Sequence, residues 1–168
     1  MGLDIEFIPE YKKDGPDDDW TYFKVPEEHE VYNLMRNRDY QLFALFGPKW
    51  KDEYKHYPTL PFLHNLPLQT EERFLLNKFK YKYQTRSMRD VLENIEKYDI
   101  SEEFALYYDP SYRAFASTVY IDEALAFDYD QIAVDGMTWR YLLDDWWFPI
   151  IEYFKEVGVE QVHISFGY

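Results

Sequence analysis

The sequence predicts a single α+β domain in which helices pack on one face of an antiparallel or mixed sheet. Three observations predict it. Apolar residues alternate with polar ones at both ends of the chain, helical spacing recurs between them, and no repeat, low-complexity tract or linker marks a boundary. At 168 residues the chain suits one domain, of a size that buries roughly 68–70% of the surface its unfolded form exposes.

The elements follow in order. Leu3, Ile5 and Phe7 alternate with Asp4 and Glu6, the period of a half-buried strand, and Pro9 ends it or marks an edge. Asp14-Gly15-Pro16-Asp17-Asp18-Asp19 reads as a turn, and Trp20 to Val25 as the returning strand of a hairpin. Helical spacing runs from Glu28 to Phe46 through Val31, Leu34, Met35, Leu42, Phe43 and Leu45, and Gly47-Pro48 stops it. Residues 48–69 contain Pro48, Pro58, Pro61 and Pro67 and read as an irregular, aromatic-rich loop.

Thr70-Glu71-Glu72 starts a short helical segment, and Lys78 to Tyr83 alternates strictly between lysine and aromatic. Ser87 to Asp90 resembles a capping box, and Met88, Val91, Leu92 and Ile95 predict a helix over about 87–98. Trp139, Leu142, Leu143, Trp146, Trp147, Ile150, Ile151 and Phe154 define the last long helix, with Thr138 as N-cap, Gly158 beyond its end and a kink or split around Pro149. Val162, Ile164 and Phe166 against Gln161, His163 and Ser165 predict a closing strand.

Composition narrows the classes of function. There is no cysteine, which removes disulfides, thiolate metal sites and cysteine nucleophiles and suits a reducing cytoplasm. No stretch is long and apolar enough for a membrane span, and acids occupy the first residues where a signal peptide needs bases. The net charge of −14 argues against duplex nucleic acid as a partner and favours attraction to basic surfaces. That charge is uneven: residues 1–30 carry −7, residues 31–90 carry +5 and residues 91–168 carry −12.

Enzyme signatures are missing: no Gly-rich phosphate loop, no G-x-S-x-G and no H-E-x-x-H. This points away from an enzyme, assigns no catalytic residue and implies no cofactor. His29, His56, His64 and His163 lack zinc-ligand spacing, so no metal is expected; His56 and His64 read as exposed loop histidines. Asp4 and Glu6 share a strand face, where water-facing carboxylates are the plain reading and a pairing of Asp4 with Arg38 the more specific one.

Two patterns carry functional expectations. Asp17, Asp18, Asp19, Asp122, Glu123, Asp128, Asp130, Asp144 and Asp145 are each ordinary solvated acids, but with interleaved aromatics they make a surface suited to a basic protein partner. The basic, aromatic segment 49–83 suits a small anionic, nucleotide-like ligand instead. There Lys78, Lys80, Lys82, Tyr81 and Tyr83, together with Arg38 and Tyr40, would meet phosphate and base. A lysine-protected edge strand explains the same alternation without a ligand. The tryptophan stripe reads as core.

Met1-Gly2-Leu3-Asp4-Ile5 leading to Glu10-Tyr11, and Arg38-Asp39-Tyr40-Gln41-Leu42-Phe43-Ala44-Leu45, resemble a group of small uncharacterised bacteriophage and bacterial proteins. Those open Met-Gly-Cys/Leu-Asp-Ile/Met and carry an Arg-x-Tyr-x-Leu-Phe-Ala-Leu segment. Thr138-Trp139 and Val162 to Phe166 echo them more weakly, and Glu6 stands where the group has His. The resemblance implies viral company. Together these features lead to an accessory protein of phage type, in the host cytoplasm, that binds and inhibits a host defence or nucleic-acid-handling protein. A binder or hydrolase of a nucleotide-like ligand is the second expectation and an assembly protein the third. The partner's identity and the oligomeric state are not readable from the residues.

Overall fold

The computed structural model describes residues 4–18, 20–47, 51–65 and 117–167. Over these the chain runs β1 (Asp4–Lys12), β2 (Trp20–Tyr22), α1 (Glu30–Leu34), α2 (Tyr40–Phe46), a 3₁₀ turn (Asp52–Tyr54), β3 (His64–Asn65) and β4 (Ser117–Tyr120). It continues with α3 (Ile121–Ala126), β5 (Ile132–Val134), β6 (Met137–Thr138), α4 (Trp139–Glu156) and β7 (Gln161–Gly167). The fold is α+β. Five strands form one sheet in the order β2-β1-β7-β4-β3, and β5 and β6 form a separate hairpin.

Every pairing between the described strands of the main sheet is antiparallel. The two terminal strands lie side by side, with Asp4 opposite Gly167 and Glu10 opposite Gln161. β1 does not end at Pro9. The Pro9 carbonyl accepts from the Phe23 N–H at 2.9 Å, and N and O of one strand residue point to the same side. The missing donor therefore faces Phe23, so the bond that would return to that residue is absent and the regular pairing with β2 stops there. β2 is also shorter than the Trp20 to Val25 strand expected, and pairs only through Trp20, Thr21 and Tyr22.

The strand period sorts the side chains. Ile5 and Phe7 from β1, Val162, Ile164 and Phe166 from β7 and Val119 from β4 are buried in the core with the helices. Phe7 meets Trp146 with ring centroids 6.0 Å apart, and Phe43 meets Phe166 at 5.1 Å, so α4 and α2 cover this face. Ser117 shares it as the register partner of Ile164, and its buried hydroxyl has no hydrogen-bond partner among the described residues.

The helical run from Glu28 to Phe46 is two helices, not one. His29 caps α1 through the Val31 N–H and Asp39 caps α2 through the Gln41 N–H, at 3.2 and 2.9 Å. Breaking the run at residues 35–39 lets α2 turn inward, where Leu42 to Phe46 are all buried. Gly47 closes it at φ 140°, in the region that favours glycine. The segment read as an irregular loop holds both the 3₁₀ turn and β3.

α4 begins as the sequence predicts, with Thr138 Oγ1 accepting from the Tyr141 N–H at 3.1 Å. Its break lies at Asp144, with φ 45° and ψ −145°, rather than at Pro149 itself. A proline ring clashes with the carbonyl four residues earlier, here Asp145, so strain set up by Pro149 is released at the adjoining residue. Trp139, Trp146 and Trp147 are buried as the stripe implied. The Trp147 indole N–H donates to the Tyr129 hydroxyl at 3.0 Å and that of Trp146 to the Leu34 carbonyl at 2.7 Å, satisfying the donors that tryptophan carries into a core. No helix among the described residues is long and apolar enough to cross a membrane.

Candidate functional site

The side of the sheet turned away from α2 and α4 is unusually polar. Two register rows cross it: Tyr22, Glu10, Gln161 and Tyr120 in one, and Ile8, His163, Thr118 and His64 in the next. Glu10 and His163 are both 0% exposed, Thr118 1% and Gln161 4%. The His163 Nε2–H donates to Glu10 Oε1, and the Gln161 amide N–H donates to the same oxygen at 2.9 Å. Thr118 Oγ1 lies 2.9 Å from His163 Nδ1.

A carboxylate only accepts, so Nε2 carries the hydrogen. In the neutral imidazole Nδ1 then accepts from the Thr118 hydroxyl. Carboxylate, imidazole and hydroxyl stand in the order that activates a nucleophile. Sealed from water, the same group acts first as a clamp across β1, β7 and β4, because buried polar atoms are tolerated only when partnered. The sequence places His163 on the closing strand and Glu10 only near the first one, just past Pro9, and does not pair them. The available signal was that both sit on the non-core phase of terminal strands, where solvent-facing residues were expected.

The predicted acidic residues fall in two places. Asp17 and Asp18 lie in the β1–β2 turn, where Asp18 Oδ2 accepts from the Asp14 N–H at 3.0 Å; Asp19 lies outside the described residues. Asp122 and Glu123 open α3. Asp122 pairs with Lys155 at 2.7 Å and Glu123 with His64 at 2.6 Å. Since α3 follows β4 directly and Lys155 closes α4, these acids and the β1–β2 turn sit toward the same end of the sheet.

Asp128, Asp130, Asp144 and Asp145 belong to the other end of α4, around the β5–β6 hairpin. Arg140 Nε bonds Asp130 at 2.8 Å, which holds the guanidinium above its ordinary pKa. The hairpin turns at Asp135-Gly136, with φ 52° and 77°, as a tight turn of that composition does. Asp135 meets His56 at 2.6 Å. Beside these acids two large apolar side chains are open to water, Ile132 at 62% and Tyr141 at 70% exposure. Ile132 pairs with Thr138, and the Thr138 hydroxyl caps the turn bearing Tyr141, so one hairpin and one helical turn present both. Residues 128–145 carry five acids against Arg140 alone among the bases.

His56 is an exposed loop histidine as expected, whereas His64, also exposed, belongs to β3, and each meets one carboxylate. Neither joins a cluster of three metal-ligating side chains, and none exists among the described residues.

Of the residues expected to hold a nucleotide-like ligand, Lys78, Lys80, Tyr81, Lys82 and Tyr83 lie outside the described residues, as does the helix predicted over 87–98. The Asp4 side chain does too, so its pairing with Arg38 is not described. Arg38 and Tyr40 line an open depression of about 460 Å³ with Asn37, Asp39, Lys51 and Tyr54. Lys51 Nζ lies 5.2 Å from the centre of the Tyr40 ring. Burial first, and Glu53 next, hold the Tyr54 phenol above its ordinary pKa, which keeps it a neutral donor.

No protein-family model, curated protein or solved structure matches the chain.

Proposed function

We propose that the protein works by binding a protein partner through the acidic, apolar surface formed by the β5–β6 hairpin and the first half of α4. The observation that carries this reading is the exposure of Ile132 and Tyr141 at 62% and 70% within a run of five acids. Tyrosine is enriched among the residues that dominate binding energy, and a large apolar side chain left in water gains by being covered. Asp144 and Asp145 form no ion pair among the described residues, so their charge faces outward to complement a basic partner. Such complementarity speeds encounter and rejects wrong partners.

A protein that handles nucleic acid presents the matching basic surface. The resemblance to phage proteins makes a host protein of that kind, or one of a defence system, the partner class, with inhibition by occlusion the outcome. The test is affinity capture from host lysate at physiological salt, followed by titration of the purified captured protein. Tyr141→Ala should weaken binding by about 2 kcal/mol, roughly thirtyfold. Asp144→Asn with Asp145→Asn should slow association most at low salt. A captured partner whose affinity ignores both changes, or no partner retained at physiological salt, overturns the reading.

A further inference from the structure

The acidic surface around the β5–β6 hairpin already holds one guanidinium, and holds it in two ways at once. Arg140 Nε donates to Asp130 Oδ1 at 2.8 Å, while its guanidinium carbon stands 5.0 Å from the centre of the Phe148 ring. A carboxylate meets the edge of the fork and an aromatic ring lies against its face. A flat cation satisfies both, because its donors lie in the plane that stacks. A lysine ammonium is a compact, strongly hydrated point charge with no face to lay on a ring.

Beside this filled seat stands one of the same composition that is open. Tyr141 adjoins Arg140 in sequence and is 70% exposed, and no ring or cation touches its ring among the described residues. Asp144 and Asp145 follow it by three and four positions and are exposed as well. The other acids of this surface are answered. Asp130 bonds Arg140, Asp135 meets His56 at 2.6 Å, and Asp128 Oδ1 accepts from the Asp130 N–H at 3.1 Å. Among the described residues Asp144 and Asp145 have no such partner, so two carboxylates stand next to an exposed ring.

We infer that the partner meets this surface with an arginine, its guanidinium laid on the Tyr141 ring and bonded to the carboxylates of Asp144 and Asp145. The inference rests on the protein-binding reading of the surface and narrows the partner's basic residues to one kind. Ile132, open on the neighbouring hairpin, gives apolar cover to the methylene stem of such an arginine. A protein that grips nucleic acid carries arginine because the fork fits two phosphate oxygens, and a carboxylate offers the same pair. An arginine held here is withdrawn from phosphate, which is how occlusion inhibits.

The experiment is calorimetric titration of the full chain at low salt with blocked hexa-arginine and hexa-lysine peptides, which carry equal charge. The arginine peptide is expected to bind at least about fivefold more tightly. Tyr141→Leu removes the ring but keeps an apolar side chain, and should reduce that preference below about twofold; Tyr141→Phe should keep it. Asp144→Asn with Asp145→Asn should weaken both peptides by about threefold or more. Far-UV circular dichroism and Tm should not move in the Tyr141 variants, whose side chain is exposed. Equal affinity for the two peptides, binding of neither, or an arginine preference that survives Tyr141→Leu overturns the inference. Equal affinities that both fall with Asp144→Asn and Asp145→Asn overturn the arginine alone and leave the basic-partner reading to its own capture test.

Discussion

Replacing Glu10 by alanine tests the physical account of the sheet. Glu10 is 0% exposed and its Oε1 accepts from both His163 Nε2 and Gln161 Nε2. Removing the carboxylate leaves two buried N–H donors without that acceptor, each costing about 1–3 kcal/mol. Loss of one partner from a buried pair costs about 3–5 kcal/mol in comparable cases, so a loss of about 4 kcal/mol is expected. That is a large share of the roughly 5–15 kcal/mol that holds an ordinary domain together. Glu10→Gln keeps an oxygen for both donors and should cost less than half as much.

The measurement is urea unfolding at pH 7, followed by circular dichroism and by tryptophan fluorescence to establish that the two transitions coincide. His163→Ala and the double variant complete a cycle whose coupling should be about 1–3 kcal/mol. A loss below about 1 kcal/mol for Glu10→Ala, or single effects that add within about 0.5 kcal/mol, would refute the clamp.

Asp144→Gly should raise stability by about 1 kcal/mol in the same urea assay, because φ 45° with ψ −145° suits glycine and strains aspartate; no gain would place the break elsewhere. Ser117→Ala should be neutral or stabilising by about 1 kcal/mol, since it removes a buried hydroxyl that has no partner among the described residues. Tyr129 is pushed up to about 12 by burial, against the opposing influence of the Trp147 indole and of Arg140. A phenol whose folded value lies above its unfolded value of about 10 contributes stability that is full below pH 10 and lost as pH rises towards 12. Roughly 2–3 kcal/mol should disappear over that window, and Tyr129→Phe should flatten the alkaline limb of stability against pH. Trp147→Ala should cost about 3–5 kcal/mol and lower the midpoint sharply, as the side chain is 1% exposed and bonded through its N–H.

Some of this was legible without coordinates. The phases of Ile5 and Phe7 and of Val162, Ile164 and Phe166 gave both terminal strands, and the tryptophan stripe gave the buried face of α4 with Thr138 as its cap. Asp39 was read only within a motif, whereas its side chain is the cap that divides two helices. β4, α3 and the β5–β6 hairpin escaped, although Asp135-Gly136 between Val134 and Met137 is a strong hairpin signal. Ser117 to Tyr120 is too short for periodicity to distinguish strand from helix.

The sequence by itself determined where apolar side chains recur, hence the α+β class, the terminal strands and the buried stripe of α4. These follow from the local periods of strand and helix, which each segment carries alone. The tertiary structure decided which polar residues meet. Glu10 and His163 stand 153 positions apart and become a buried pair only because β1 and β7 are neighbours in one register. Likewise Asp135 meets His56 and Asp122 meets Lys155 across 79 and 33 positions of chain. Pairing, burial and the sorting of charge depend on distances through space, and no local pattern along the chain encodes them.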